Sequence, residues 1–173
     1  VGASTKASIY KGQNDGKKAD RVFTLSTVTV ACVGLIVAAV VMLNLTNVAK
    51  LLGATEETME YVKSYLSVII MFVPFYMTSY NLEVLIKADG FPKKAIKTSL
   101  AGAATNIILD ALFVLVFHWG ITGAAVATGL SQVLTFTVYL RHFLSDRSGF
   151  SFVKIRWSAK AAAGLAKLGT ADC

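Results

Sequence analysis

Charge is scarce in this chain. Only 16% of its 173 residues are Asp, Glu, Lys or Arg, against about a quarter in a soluble domain. With 55% hydrophobic residues it is also far too apolar to be disordered. Proline is nearly absent, with two residues in all, and the mean hydropathy is +0.61. The composition is that of a membrane protein. Cysteine is equally sparse: Cys32 lies inside an apolar run and Cys173 is the last residue, which gives neither a disulfide framework nor a metal-ligand spacing. A charged-then-apolar leader is lacking too, and the first residue is Val1. We therefore expect an internal piece of a longer protein.

Enzyme and nucleic-acid signatures are missing as well. There is no Gly-rich phosphate loop and no nucleophile with a base and an orienting group at workable spacing. The net charge of +7 would suggest nucleic acid only if the basic residues formed a stripe interleaved with aromatics. They cluster between long apolar runs instead.

Those runs can be counted. Between Arg21 and Lys50 lie 28 uncharged residues, and between Lys63 and Glu83 lie 19, where a bilayer core needs roughly 20. From Lys97 to Arg141 the only Asp, Glu, Lys or Arg is Asp110. That stretch is too long for one span, so it turns at His118-Trp119-Gly120-Ile121-Thr122-Gly123, where two glycines and two amphipathic rings fit an aqueous interface. The expected architecture is all-α and integral to the membrane. It has four transmembrane helices in antiparallel hairpins, at about 22–47, 62–85, 95–117 and 121–144. Residues 1–21 read as the end of a preceding helix and a loop, and residues 145–173 as a linker and the start of a further helix.

Orientation follows from the cations. Residues 1–21 hold five Lys or Arg, residues 86–98 four and residues 141–173 six, while the other two connections hold only Lys50 and Lys63. The positive-inside rule then places both chain ends in the cytoplasm of a multi-pass protein of the plasma (inner) membrane. The loops carry matching signals: a helix stop at Gly53, an N-cap at Thr55 with Glu56 and Glu57 in the next first turn, and Pro92 opening the third span. Asp15-Gly16-Lys17-Lys18-Ala19 echoes Asp89-Gly90 with Lys93-Lys94-Ala95. Either two hairpins are built on one plan, or basic turn residues recur before any outward helix.

Asp110 is the residue to explain. A carboxylate deep in a bilayer costs about 2.5–3.5 kcal/mol on insertion scales, so it needs a partner or a purpose. One reading is a polar pair gluing helices together; the other is a site. Asn106 precedes it by one turn on the same face. If the hairpin turns at Trp119, Asp110 and Thr128 are equidistant from it, as are Asn106 and Gln132, which predicts two facing polar layers. The small residues from Gly123 to Gly129 allow close packing and accessible carbonyls. A carboxylate, an amide oxygen, a hydroxyl and a backbone carbonyl make an all-oxygen nest for sodium, or for a proton on the carboxylate. Tyr76, Tyr80 and Asn81 are candidates to line a polar cavity. Pro74 reads as a kink or a hinge, Glu83 and Lys87 as an i, i+4 pair, His118 and Trp119 as interface anchors, and His142 as part of the inner flank.

Asn106-Ile-Ile-Leu-Asp110, followed by Trp119-Gly-Ile-Thr-Gly-Ala124-Ala-Val-Ala-Thr128-Gly-Leu-Ser-Gln132, closely resembles the multidrug and toxic compound extrusion (MATE) transporters. Leu51-Leu52-Gly53-Ala54 and Lys87-Ala88-Asp89-Gly90-Phe91-Pro92-Lys93 fit the same family, and the resemblance covers nearly the whole chain. It implies a twelve-helix fold in two lobes, of which this chain supplies helices 3 to 6. It implies export of cationic or amphiphilic compounds in exchange for sodium or protons, with no cofactor beyond that ion. It also assigns the cation site to Asn106, Asp110, Thr128 and the carbonyl of Ala124. The family's acidic residue on helix 1 is not in this sequence, so the implied partners are the bilayer, the exported compound, the preceding helices and the second lobe. The alternatives are a lipid-linked precursor flippase of the same superfamily, which would need cations along its cavity, and a non-transporting membrane scaffold or inactive fragment in which Asp110 merely holds a helix.

Overall fold

A backbone surrounded by hydrocarbon satisfies its N–H and C=O groups internally, and the apolar runs do so as helices. The computed structural model describes residues 2–145 and 148–154; within them the order is α1 (Gly2–Gly12), α2 (Gly16–Leu43), α3 (Leu45–Leu51), α4 (Met59–Ala88), α5 (Pro92–Asp110), a π-helical continuation (Ala111–Val116) and α6 (Gly120–Phe143). Four helices are long and apolar enough to cross a membrane: α2, α4, α5 with its continuation, and α6. Leu35 and Ile36 on α2 and Ile107 and Ile108 on α5 remain 61–69% exposed, as side chains facing lipid do. The linker and further helix expected beyond residue 145 fall largely outside the described residues.

The helix ends differ from the expected ones for local reasons. The uncharged window measures the apolar run, whereas α2 starts six residues earlier at Gly16, where Asp15 caps it by accepting from the Lys18 N–H at 3.2 Å. The Lys18 ammonium also holds the exposed Asp15 carboxyl below its usual range. The first span does not run on to residue 47. It ends at Leu43, because Asn44 turns its side chain back onto the Val40 carbonyl and α3 starts afresh. Gly53, at φ +90°, closes α3 as expected, with the Ala54 N–H returning to the Ala49 carbonyl. The N-cap at Thr55 is not realised. Thr55 bonds to the Thr58 hydroxyl, α4 begins at Met59, and Glu60 rather than Glu56 or Glu57 sits in its first turn. Pro92 stands in the first turn of α5 as read from sequence.

The two hairpins, α2–α4 and α5–α6, join through a parallel contact between α4 and α6. Along it Ser64 meets Thr122 at 3.0 Å, Phe75 packs edge-on against Phe136, and Ser79 reaches the Gln132 carbonyl. Three glycines set the helix separations. A Cβ on Gly34 would stand 2.9 Å from Pro74 Cα, one on Gly129 would enter the Phe72 ring, and one on Gly102 would strike the Thr135 hydroxyl. Pro74 thus lies where α2 crosses α4.

The buried core is concentrated at the lysine-rich end. Phe23, Leu82, Leu85, Ile86, Tyr139 and Phe143 meet there, and the segment after α6 folds back over them. Phe150 stacks on Phe23 at 5.6 Å, while Ser151 N–H bonds Asp20 and Val153 N–H bonds Thr24. At the centre of this end is Asp89, whose side chain is fully buried. Lys11 from α1, His142 Nε2 at 3.2 Å from α6, the Ser148 hydroxyl at 3.2 Å and the Gly149 N–H at 3.0 Å all converge on it. Lys94 holds His142 Nδ1 at 3.0 Å. An ammonium can only donate, so Nδ1 accepts and the Nε2 proton faces Asp89. His142 lies at the lysine-rich end of α6, where the sequence put it, but it is 1% exposed and part of a buried network. The echo between Asp15 and Asp89 ends here too, because Asp15 is an exposed cap and Asp89 a buried junction.

Two stability predictions follow from these contacts. Gly34→Ala forces backbone apart at the α2–α4 crossing and should cost about 1–3 kcal/mol, read as a lowered unfolding midpoint in detergent. Asp89→Ala leaves Lys11 and His142 without their partner and should cost about 3 kcal/mol, the low end for a broken buried pair because Lys11 reaches solvent. An unchanged midpoint in either variant would contradict the packing described.

Candidate functional site

At mid-span the packing loosens. α4, α5 and α6 enclose a cavity of about 340 Å³, walled by Tyr76, Ser79, Tyr80, Asn106, Thr128 and Gln132 among others. Asn106 donates from Nδ2 to the Thr128 hydroxyl at 3.3 Å across the α5–α6 interface. Thr135 and Ser131 turn their hydroxyls onto carbonyls of their own helix. Glu83 also reaches this wall, but its carboxylate is paired with Lys87 at 2.7 Å, the pair expected from their spacing. No lysine or arginine lines the cavity among the described residues.

The polar layers are shifted from the equal-depth arrangement. Asn106 faces Thr128, not Gln132, and Asp110 does not bond Thr128. The continuation of α5 ends at Val116 and α6 begins at Gly120, so the hairpin reverses over Phe117, His118 and Trp119. Its tip is compact: Phe113, Phe117 and Trp119 stack within 5.0–5.9 Å, the Trp119 N–H bonds the Phe113 carbonyl, and His118 takes up φ +55°. Trp119 and His118 do sit at the tip, with Trp119 half exposed.

Asp110 ends α5, directly before the π-helical turns. Its Oδ1 is buried and has no hydrogen-bond partner among the described residues. Such an orphaned acceptor is costly unless something else satisfies it. π turns are rare and occur often at functional sites. Sequence spacing could not foresee this one, because counting assumes 3.6 residues per turn throughout.

The remaining candidates divide between two faces. Tyr76, Tyr80 and Gln132 line the cavity with Asn106 and Thr128, whereas Asp110 and Ala124 are not among its lining residues. Asn81 looks toward α2 instead, donating to the Thr27 hydroxyl at 3.3 Å, and it lines a separate recess with Tyr76 and Tyr80. Pro74 interrupts α4 without ending it, and Thr78 bonds its carbonyl at 2.7 Å. Among the described residues no cluster of His, Cys, Asp or Glu could hold a metal ion by itself. Any cation at Asp110 would need neutral oxygens, which Asn106, Thr128 and backbone carbonyls supply as a class.

A family model described as MatE matches residues 1–112. The multidrug export protein MepA of Staphylococcus aureus (strain NCTC 8325 / PS 47) is 32% identical over 146 residues, which is 84% of this chain and 32% of MepA. MepA of Staphylococcus saprophyticus is 29% identical over 171 residues, 98% of this chain and 38% of that protein. The chain thus spans about a third of the length of these curated relatives. In fold it is similar to the inward-facing conformation of a multidrug resistance MATE family transporter of the MOP superfamily, with a TM-score of 0.89 and 21% identity over 98% of this chain and 39% of that one. The outward-facing conformation of such a transporter gives a TM-score of 0.83 at 21% identity, over 95% of this chain and 37% of the other. Four apolar membrane-length helices and a family match across most of the chain lead to one assignment: this is a multi-pass membrane protein that belongs to the MatE family.

Proposed function

We propose that α2, α4, α5 and α6 are helices 3 to 6 in one lobe of a twelve-helix secondary antiporter, which exports cationic or amphiphilic compounds in exchange for sodium or protons. The observation that carries this reading is the buried, unpartnered Oδ1 of Asp110, one helical turn from the Asn106–Thr128 contact. A cation or a proton on that oxygen would remove the desolvation cost that an empty site imposes. Asn106 and Thr128 would add neutral oxygens, and the Ala124 carbonyl, one turn before Thr128, a further one. The curated relatives named as multidrug export proteins support the same activity.

Alternating access needs an element with two arrangements that the ion biases unequally. The lobe has a firmly packed basic end and a looser middle, so ion loading at Asp110 would act where the helices are least tightly held. The basic end faces the cytoplasm in this reading, following the positive-inside rule. The flippase reading fares worse on one observation: the cavity wall presents Glu83, tyrosines and amides, but no cation for a pyrophosphate among the described residues.

Asp110→Asn in the two-lobed exporter should abolish ion-coupled efflux and leave membrane insertion intact. Undiminished drug resistance in cells carrying that variant would overturn the assignment. Asn106→Ala removes one neutral oxygen from the site and should weaken the coupling ion roughly tenfold. Efflux assayed against sodium and against pH in separate runs identifies which ion is concerned.

A further inference from the structure

On the other side of the α5–α6 pair, away from the polar cavity, a groove of about 680 Å³ opens at the basic end. Its mouth carries Lys93, Lys94 and Lys97, and its deeper wall is Ala101, Leu134 and Val138. We propose that this groove binds an anionic phospholipid, the phosphate held by the three lysines and one acyl chain lying on the apolar wall.

Three observations support it. The first is charge without compensation. Lys11, Lys18 and Lys87 each have a carboxylate partner, whereas Lys93, Lys94 and Lys97 have none among the described residues. Lys94 meets only the His142 ring. Three ammonium groups on one turn and a half of helix repel one another unless an anion sits among them.

The second is the order of the groove along the helix. Lys94, Lys97 and Ala101 fall on one face of α5 at i, i+3 and i+7, and Leu134 and Val138 fall on one face of α6 at i and i+4. From Lys93 to Ala101 the helix rises about 12 Å, so the groove is cationic at the interface and turns apolar as it enters the hydrocarbon. A phospholipid has the same polarity along its length. A soluble anion would have no use for the apolar part.

The third is its setting. Basic pockets between transmembrane helices at the lysine-rich membrane face are where anionic headgroups collect. Phe91 stands over His142 at 4.9 Å, so the groove mouth touches the buried Asp89 network through His142 and Lys94. A bound headgroup would stiffen the end of the lobe that holds the helices together.

The full chain, extracted from membranes and analysed by native mass spectrometry with added phosphatidylglycerol or phosphatidylethanolamine, tests this. The intact protein should retain phosphatidylglycerol preferentially, and Lys93→Gln with Lys97→Gln should weaken that retention roughly tenfold or more. Both lysines are exposed, so helicity by circular dichroism should be unchanged. Leu134→Trp, which fills the apolar wall and leaves every lysine in place, should also reduce retention. Equal retention of the two lipids by the intact protein would mean that another element covers the groove, and would overturn the proposal. So would displacement of the lipid by millimolar inorganic phosphate, which would make the site a soluble-anion site, and so would undiminished retention in the double variant.

Discussion

A carboxylate taken out of water must find its compensation inside the protein or in something the protein binds. Among the described residues, the Asp89 carboxylate and one oxygen of Asp110 are held away from water, and they meet the requirement in opposite ways. Asp89 is surrounded by an ammonium, an imidazole, a hydroxyl and a backbone N–H drawn from α1, α6 and the segment beyond it. Its demand is met by the chain itself, and meeting it fastens four separate stretches at one end of the bundle. Asp110 keeps one oxygen with no partner. Its demand is not met among the described residues, which is where it differs from Asp89.

The packing of the bundle follows this division. Close to Asp89 the aromatic core is tight, with Phe23 in contact with Phe143, Phe150 and Phe152. Toward the middle the contacts between helices are hydroxyls, amides and glycine-mediated approaches, with a cavity between them. Small residues and weak hydrogen bonds permit close approach without locking one arrangement, because each such bond in a membrane is worth only about 0.6 kcal/mol on average. The bundle is therefore fastened at one end and joined by weaker contacts at its centre.

Much of this was legible in the sequence. Charges marked the four spans because a bilayer forbids them elsewhere, and Asp110 stood out for the same reason. Gly53 and Pro92 announced a helix end and a helix start through backbone chemistry that acts within a few residues. The Asp89 network was not legible. Lys11 and His142 lie 78 and 53 residues from Asp89, and each looks like an ordinary interfacial residue until the helices are assembled. Asp89 also stands at a turn, since Gly90 with φ +91° follows it.

The candidate residues named from sequence fall on α4, α5 and α6, but the register between α5 and α6 is not the one that spacing predicts. Counting residues from Trp119 placed Asp110 opposite Thr128. The π turns between Ala111 and Val116 and the aromatic tip displace that alignment by one helical turn, so Asn106 takes the contact with Thr128. The displacement has a chemical consequence. Had Asp110 bonded the Thr128 hydroxyl, both would have been satisfied as a structural pair and a cation would have had to break that bond to enter. With Asn106 occupying Thr128, the amide and the hydroxyl hold each other in place as neutral oxygens, and the carboxylate oxygen stays unclaimed. The register that spacing alone could not supply is therefore what leaves the Asp110 oxygen unpaired while Asn106 and Thr128 pair with each other.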